Sequence, residues 1–140
     1  MISDDITSIY KRLSSIDRGY IGRLGTSGRV YSDVYYDKYG IPTGFIILNK
    51  DLLNMTPSLY CVIGTIIKRK GIGLELLVKA LRWFLISKYE QLLWISNVNN
   101  IASINLAKKV GFTYGWKRRY DEDVYILTNP KNFIRLLGKK

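Results

Sequence analysis

The sequence predicts an α/β protein, a single domain whose mixed, mostly antiparallel sheet is flanked by helices. Three observations predict it. The length of 140 residues fits one domain, 1–140. Hydrophobic residues make up 47% of the chain, which is enough for a core. Helix and strand patterns follow one another in the order α, β, β, β, α, β, α, β, β without a repeat or a linker, which indicates one layered structure.

The first third of the chain predicts one helix and one hairpin. Residues 4–16 carry apolar side chains at helical spacing, with acids first and cations later. Glycine recurs through 18–29, which predicts a loop. Residues 29–50 alternate in hydrophobicity around Gly40 and Pro42, which predicts a β-hairpin. Only about 28 residues precede the first predicted strand, which leaves room for one helix and a loop.

The middle of the chain predicts a buried strand followed by a long helix. Residues 58–67 are β-branched and apolar on both faces, as in a central strand. The helix after it is amphipathic and extends to about residue 85. Its apolar face is expected to consist of Leu74, Leu77, Val78, Leu81, Phe84 and Leu85.

A further strand and a short helix come next. Residues 91–96 predict the strand, and 99–112 predict the helix. Either Asn99 or Asn100 is expected to cap the start of this helix, and Gly111 to follow its end.

The chain is expected to close with a hairpin and a tail. Residues 113–128 predict two strands that turn at the acidic segment 121–123. Residues 130–140 are expected to form a short helix or a tail.

The composition narrows the classes of function. There are 22 Lys and Arg residues against 11 Asp and Glu residues, for a formal charge of +11. Such a charge favours anionic partners, which include phosphorylated cofactors, RNA and other nucleic acids, and acidic proteins. The chain has no histidine and one cysteine, so no metal site is expected, and the commonest general base is missing.

The sequence also predicts a soluble, cytoplasmic protein without a membrane segment. No apolar run approaches the roughly 18 residues that a membrane-spanning helix needs. The first residues lack the apolar segment of a signal peptide. Cys61 has no second cysteine to pair with, which suits a reducing compartment.

The segment 68–73 is the first candidate binding site. It reads KRKGIG and stands at the start of the long predicted helix. The N-terminus of a helix offers unpaired N–H groups and a partial positive charge, and glycines let an anion approach the backbone, so a diphosphate would suit this segment. A solvated basic turn explains the same residues equally well. The spacing matches neither a P-loop nor a complete GxGxxG motif.

Two motifs resemble those of the GCN5-related N-acetyltransferase (GNAT) superfamily. The segment 68–73 is similar to its [RQ]xxGxG/A motif, which opens a helix after a central strand and binds acyl-CoA. About thirty residues later, 100–112 is similar to its Nxx[SA]xxLYxxxGF motif. The hairpin with Gly44 agrees as well, and the order and separation match over 30–127. The residues in register with the second motif are Asn100, Ser103, Leu106, Gly111 and Phe112.

The resemblance implies a fold and a set of cofactor contacts. In this family the fourth and fifth strands of the sheet splay apart and admit the pantetheine arm of acetyl-CoA. Ile63 would offer backbone groups to that arm, and Asn100 would bind near it. The pyrophosphate would lie against the loop residues Lys68, Arg69, Lys70, Gly71, Ile72 and Gly73. Lys68 stands where the family has Arg or Gln, and Arg69 where it often has Gly. The surplus cations could instead meet the 3′-phosphate of the cofactor.

The implied reaction is direct transfer of an acetyl group from acetyl-CoA to a primary amine. The family often has a tyrosine as general acid where this chain has Ala107, and its usual bases are also missing. The candidates left are Asp33, Tyr114 and Ser103, with Tyr120 and Ser96 behind them. Packing explains both tyrosines better than catalysis, and a helix start explains Ser103 better. Cys61 is expected to be a small buried apolar residue rather than a nucleophile.

The scarcity of catalytic groups suggests an acceptor of low pKa. An α-amine has a pKa of about 7.7 to 8.0, so roughly a tenth to a sixth of it is neutral at pH 7. A protein N-terminus or the aminoacyl group of a tRNA would therefore hardly need a base. Alternatively, the fold is catalytically degenerate and acts as a basic module that binds nucleic acid or protein. The segment WKRRY at 116–120 interleaves aromatic and basic residues, as a surface that binds nucleic acid would. The aromatic residues of 114–125 would permit a homodimer.

Overall fold

The computed structural model describes residues 2–22, 24, 28–51, 57–68 and 70–129. Over these residues the chain has four α-helices and six β-strands. The segment 130–140, expected as a helix or tail, lies outside them. The elements in chain order are α1 (Ile2–Arg12), α2 (Ser15–Ile21), β1 (Arg29–Tyr36), β2 (Pro42–Asp51), β3 (Ser58–Thr65), α3 (Ile72–Leu85), β4 (Gln91–Asn97), α4 (Ile101–Lys109), β5 (Thr113–Arg119) and β6 (Glu122–Thr128).

The six strands form one mixed sheet in the order β1-β2-β3-β4-β6-β5. The pairs β1–β2, β4–β6 and β5–β6 are antiparallel, whereas β3 and β4 are parallel. The predicted fold class is therefore confirmed, and β3 is an internal strand as expected. None of the described helices is long and apolar enough to cross a membrane.

The parallel register of β3 and β4 is short. It has three residue pairs, from Ser58↔Gln91 to Tyr60↔Leu93, although β3 continues to Thr65 and β4 to Asn97. Both strands are described over their whole length, and no further pair joins them. The resemblance assigned the splay to the fourth and fifth strands of the family's sheet. These correspond to β3 and β4 here, because only helices are seen among the described residues before β1.

The chain divides into two compact units. The first consists of Met1–Asn49 with Val62–Ala80, and the second of Lys50–Cys61 with Leu81–Lys140. The prediction of one domain over 1–140 stays a prediction.

Helices cover both faces of β2 in the first unit. Consecutive strand residues point to opposite faces, so Gly44 and Phe45 meet different helices. An added Cβ at Gly44 would lie 2.7 Å from Ile72 Cγ2 and 3.4 Å from Leu76 Cδ1, both on α3. Phe45 belongs to the buried cluster on the other face, together with Ile6, Ile9, Leu13, Val34 and Ile47. This alternation explains why β2 is apolar on both sides.

The N-terminal region differs from the prediction of one helix over 4–16 followed by a loop. The first helix ends at Arg12, and a second helix, Ser15–Ile21, occupies part of the predicted loop. The Ser14 hydroxyl accepts the Asp17 N–H at 3.2 Å and caps α2. Gly22 follows the helix with φ +75°. Side-chain capping thus outweighs the unfavourable glycine at position 19.

The buried face of α3 was only partly predicted. Ile72, Leu76, Leu77, Ala80 and Phe84 are buried, whereas Val78 and Leu85 are 37% and 41% exposed. The buried positions 72, 76, 80 and 84 recur every four residues, and Val78 lies about 200° around the helix from Leu76. The small residue Ala80 contributes to this face although a hydrophobicity pattern gives it little weight.

The second unit packs around β4. Trp94 is 5% exposed and lies edge-on to Phe112, with ring centroids 5.5 Å apart. Asn129, which follows β6, is 2% exposed and donates from Nδ2 to the carbonyls of Phe84 and Tyr89, both at 3.0 Å. These contacts fix the end of α3 to the end of the sheet.

The last hairpin turns earlier than predicted. Tyr120 and Asp121 form the turn, and Glu122 and Asp123 belong to β6 rather than to the loop. Both acids contact cations of β5, which favours their inclusion in the strand. The register of β5 shifts twice, between Tyr114 and Trp116 and between Lys117 and Arg119.

We expect Gly64→Ala to destabilise the protein by about 1–3 kcal/mol, because the added methyl group overpacks the core. Its Cβ would lie 2.6 Å from Phe45 Cε1 and 3.2 Å from Ile21 Cδ1. Urea unfolding would measure the loss. Gly19→Ala is the matched control, since nothing lies within 4 Å of its added Cβ and alanine favours a helix, so it should be neutral or stabilising. Equal stability of the two variants would contradict the described packing.

Candidate functional site

A short loop joins β3 to α3 and contains the segment 68–73. Next to β2, the Ile66 N–H donates to the Thr43 carbonyl at 2.9 Å. At the other end, the Glu75 N–H donates to the Gly71 carbonyl at 3.0 Å, so Gly71 is the residue that precedes the first turn of α3. Gly71 has φ +73°, a conformation that other residues rarely adopt, and this explains the first glycine of the motif.

The first turn of α3 presents backbone donors. The N–H groups of Ile72, Gly73 and Leu74 precede the first intrahelical bond and have no carbonyl within the helix to bind. Ile72 is 5% exposed and packs against Gly44, which fixes this end of the helix on the sheet. Donors held at the positive end of a helix dipole suit an anion such as a phosphate group.

The cations of the loop differ in their surroundings. Lys68 Nζ lies 2.9 Å from the Asp17 carboxylate of α2, and the two side chains are 55% and 27% exposed. Lys70 is exposed. Arg69 lies outside the described residues. Lys68 therefore already has an anionic partner within the chain, which sequence reasoning did not predict.

Two residues of interest lie in β3. Ile63, expected to contact pantetheine through its backbone, is half-buried in the part of the strand that belongs to the first unit. Burial raises the pKa of the Cys61 thiol well above its ordinary value, so this cysteine stays protonated at neutral pH. Cys61 is only half-buried, so the expectation of a buried residue is not fully met, but its protonated thiol favours a packing role over a nucleophilic one.

Asn100 caps α4, as predicted. Its Oδ1 accepts the Ser103 N–H at 3.4 Å, and its own N–H donates to the Asn97 carbonyl at 3.0 Å. At the other end, Gly111 follows the C-cap with φ +107°. Helix capping therefore accounts for Asn100 and Gly111 of the second motif.

Ser103 and Ala107 lie on the side of α4 that faces β4. The Trp94 indole N–H donates to Ser103 Oγ at 2.9 Å, so the serine hydroxyl holds a nearly buried tryptophan. Ala107 is completely buried, and its methyl group has no proton to donate. The structure therefore explains Ser103 by packing and offers no general acid at position 107.

Asp33 lies on the edge strand β1. It is opposite Ile46, and its neighbour Val34 packs towards α1, so Asp33 points to the other face. Its carboxylate accepts the Val34 N–H at 2.8 Å. Burial first, and then the charge of Asp33, raise the pKa of Tyr31. The structure places Asp33 in the first unit, and Ser103 and Tyr114 in the second.

Tyr114 is exposed on β5 and belongs to a small polar group. Its ring lies edge-on to Tyr125, with centroids 5.8 Å apart. The Lys117 ammonium lies 2.8 Å from Asp123, and this bond raises the pKa of Lys117. The pKa of Tyr125 is raised, mainly by burial and secondly by the negative charge of Asp123, so Tyr125 keeps its proton at neutral pH. Tyr125 was not a sequence candidate, because its pattern is that of an ordinary strand residue.

The remaining candidates carry no sign of catalysis. Tyr120 is 91% exposed in the hairpin turn. Ser96 is 4% exposed, and its hydroxyl donates to the Asn97 carbonyl at 3.1 Å. Over the described ranges, no three His, Cys, Asp or Glu side chains form a group able to hold a metal ion.

The ion pair between Asp17 and Lys68 was not predicted from the sequence, although a local signal predicts the helix that carries Asp17. Ser14 and Asp17 have the spacing of a capping box, in which a hydroxyl at the N-cap is followed three residues later by an acid. This signal predicts the start of α2. It does not predict the partner of Asp17, because Lys68 is distant in the sequence.

We expect Ser103→Ala to lower the free energy of unfolding by about 1–3 kcal/mol, because the nearly buried indole N–H of Trp94 would lose its acceptor. Urea unfolding followed by tryptophan fluorescence would measure this. Ser103→Thr keeps a hydroxyl and should retain most of the stability. A purely catalytic serine would instead show unchanged stability in both variants.

Comparison with known proteins identifies the fold. No family model matches the sequence, and no curated protein matches it. Among solved structures, the chain is similar to the GNAT domain of S. lividans PAT, with a TM-score of 0.74 and 12% identity over 89% of this chain and 84% of that one. It is also similar to a GNAT-family acetyltransferase from Bacillus anthracis, with a TM-score of 0.69 and 15% identity over 92% and 91%. The structure of yncA from Salmonella typhimurium, with its cofactor acetyl-CoA, has a TM-score of 0.58 and 18% identity over 64% and 59%. The chain therefore has the fold of the GNAT acetyltransferases.

Proposed function

We propose that this chain is an acetyl-CoA-dependent N-acetyltransferase that moves the acetyl group to a primary amine. The observation that carries the proposal is the glycine-capped N-terminus of α3, with Lys68 and Lys70 beside it. A diphosphate needs several donors in fixed positions and positive charge around them, and this turn supplies both. The likeness to yncA, whose structure holds acetyl-CoA, supports the same assignment.

The cofactor contacts follow the motif. The diphosphate would accept hydrogen bonds from the first N–H groups of α3, and Lys68, Arg69 and Lys70 would neutralise its charge or that of the 3′-phosphate. Ile63 would bind the pantetheine amides through its backbone. Asn100 is assigned to the pantetheine by resemblance, and its Oδ1 already serves the α4 cap. Acetyl-CoA supplies the activated thioester, and the chain supplies orientation.

A matched pair of variants tests the diphosphate site. Gly71→Asp and Gly71→Asn have the same shape, and both residues tolerate a left-handed backbone better than others do. We expect Gly71→Asn to bind acetyl-CoA within a few-fold of wild type. Gly71→Asp should bind at least about tenfold more weakly, because its carboxylate would repel the diphosphate at close range.

Calorimetric titration with acetyl-CoA would measure both variants, and their difference should shrink at high salt. Equal affinity of the two variants for acetyl-CoA would indicate that the diphosphate does not bind at this loop. Absence of binding by the wild type would contradict the proposed function itself.

The acceptor we propose is an amine of low pKa, such as a protein N-terminus or an aminoacyl group on tRNA. The structure gives the three catalytic candidates other tasks: Asp33 binds a backbone N–H, Ser103 holds Trp94, and Tyr114 packs on Tyr125. A lysine amine, with a pKa near 10.4, is neutral only about once in two thousand molecules at pH 7, so it would need a dedicated base. The net charge of +11 suits an acceptor that is itself anionic, such as RNA or an acidic protein.

Two peptides of one sequence test the acceptor. One has a free α-amine and an acetylated lysine, and the other has an acetylated N-terminus and a free lysine. We expect acetylation of the first peptide only, measured by mass spectrometry at pH 7, because only its amine is appreciably neutral. Acetylation confined to the lysine peptide would reject the low-pKa acceptor while keeping the acetyltransferase.

The β5–β6 hairpin supports a second candidate, a binding module for nucleic acid or protein. Tyr114, Trp116 and Tyr120 are 55%, 39% and 91% exposed, as stacking residues would be. Against it, Lys117 is paired with Asp123, and Arg118 and Arg119 lie within 3.7 Å of Glu122. Affinity for RNA that is independent of acetyl-CoA and falls steeply with salt would favour this module. Self-association through the same aromatic residues stays a proposal.

A further inference from the structure

The Asp17–Lys68 ion pair joins α2 to the loop before α3. The backbone around Asp17 is held in place, because the Asp17 N–H donates to Ser14 Oγ at 3.2 Å and the Tyr10 hydroxyl donates to the Gly22 carbonyl at 2.6 Å. Ile21 anchors the same helix, since its Cδ1 would lie 3.2 Å from a Cβ at Gly64. The backbone that carries Asp17 is therefore held and its side chain is short, whereas the longer Lys68 side chain has more freedom to move.

We propose that Asp17 competes with the anionic ligand for Lys68. The inference rests on the proposed function, in which Lys68 neutralises a phosphate group of acetyl-CoA. The ammonium group of Lys68 lies 2.9 Å from Asp17, so its charge is compensated before any ligand arrives. An arriving phosphate must draw Lys68 away from Asp17, or else bind to a lysine whose charge Asp17 already compensates. Either way Asp17 weakens binding, so it is a positioning residue that limits affinity for the cofactor.

The partial exposure of the pair limits the size of the effect. Asp17 is 27% and Lys68 55% exposed, and ion pairs near the surface are weak and screened by salt. We therefore expect Asp17→Asn to tighten acetyl-CoA binding about two- to fivefold, which corresponds to about 0.4–1 kcal/mol. Because CoA carries the same diphosphate, its affinity should rise by the same factor.

A double-mutant cycle with Lys68→Met tests whether Asp17 acts through Lys68. Lys68→Met alone should weaken binding, and adding Asp17→Asn to it should change nothing further. Asp17→Glu keeps the carboxylate and should restore wild-type affinity. Asp4→Asn is the matched control, because it removes the same charge from an exposed position on α1 and should leave the affinity unchanged.

Calorimetric titration of these variants with acetyl-CoA and with CoA separates the outcomes. Tighter binding by Asp17→Asn than by the wild type that disappears in the Lys68→Met background supports the competition. Unchanged or weaker binding by Asp17→Asn, or a gain that persists without Lys68, overturns it while the proposed cofactor site stands. Absence of binding by every variant overturns both proposals.

Discussion

The close approach of α3 to β2 is the contact on which the candidate site depends. Gly44 leaves no room for a side chain, and Ile72 fills that space from the first turn of the helix. A side chain at position 44 would push the start of α3 off the sheet. The direction of the N–H groups in the first turn is thus set by a glycine in a strand that has no chemical role itself. The second constraint is Gly71, whose left-handed backbone lets the chain leave the loop and enter the helix in a single residue.

Much of the fold could be predicted because the signals are local. Strand alternation, the internal apolar strand, and the Asn100 and Gly111 caps of α4 each depend on residues close in sequence. The predictions failed where a local signal was weak or where packing decided. The helix α2 contains a glycine and has no fully buried residue, so hydrophobic periodicity does not reveal it. The buried side of α3 includes Ala80 rather than Val78, because Val78 lies about 200° around the helix from Leu76.

The candidate site was predictable to a smaller extent. The free N–H groups at the start of α3 could be predicted, because the glycine spacing and the position after a strand are visible in the sequence. The electrostatic part of the site could not be predicted, because the partner of Lys68 comes from a helix far earlier in the chain. Likewise, the role of Ser103 depends on a tryptophan in β4 whose orientation only the fold determines. Pairwise contacts between distant segments are the information that composition and periodicity do not contain.

The edge strand β5 has a consequence for the solubility of the chain. An edge strand exposes unpaired backbone groups that can template the addition of another strand. Two register shifts interrupt the regular ladder of β5, and three consecutive cations, Lys117, Arg118 and Arg119, follow the exposed Trp116. Bulges and charges of this kind oppose strand-to-strand aggregation. The hairpin can therefore expose aromatic side chains to solvent without offering a flat backbone edge on which β-aggregates could grow.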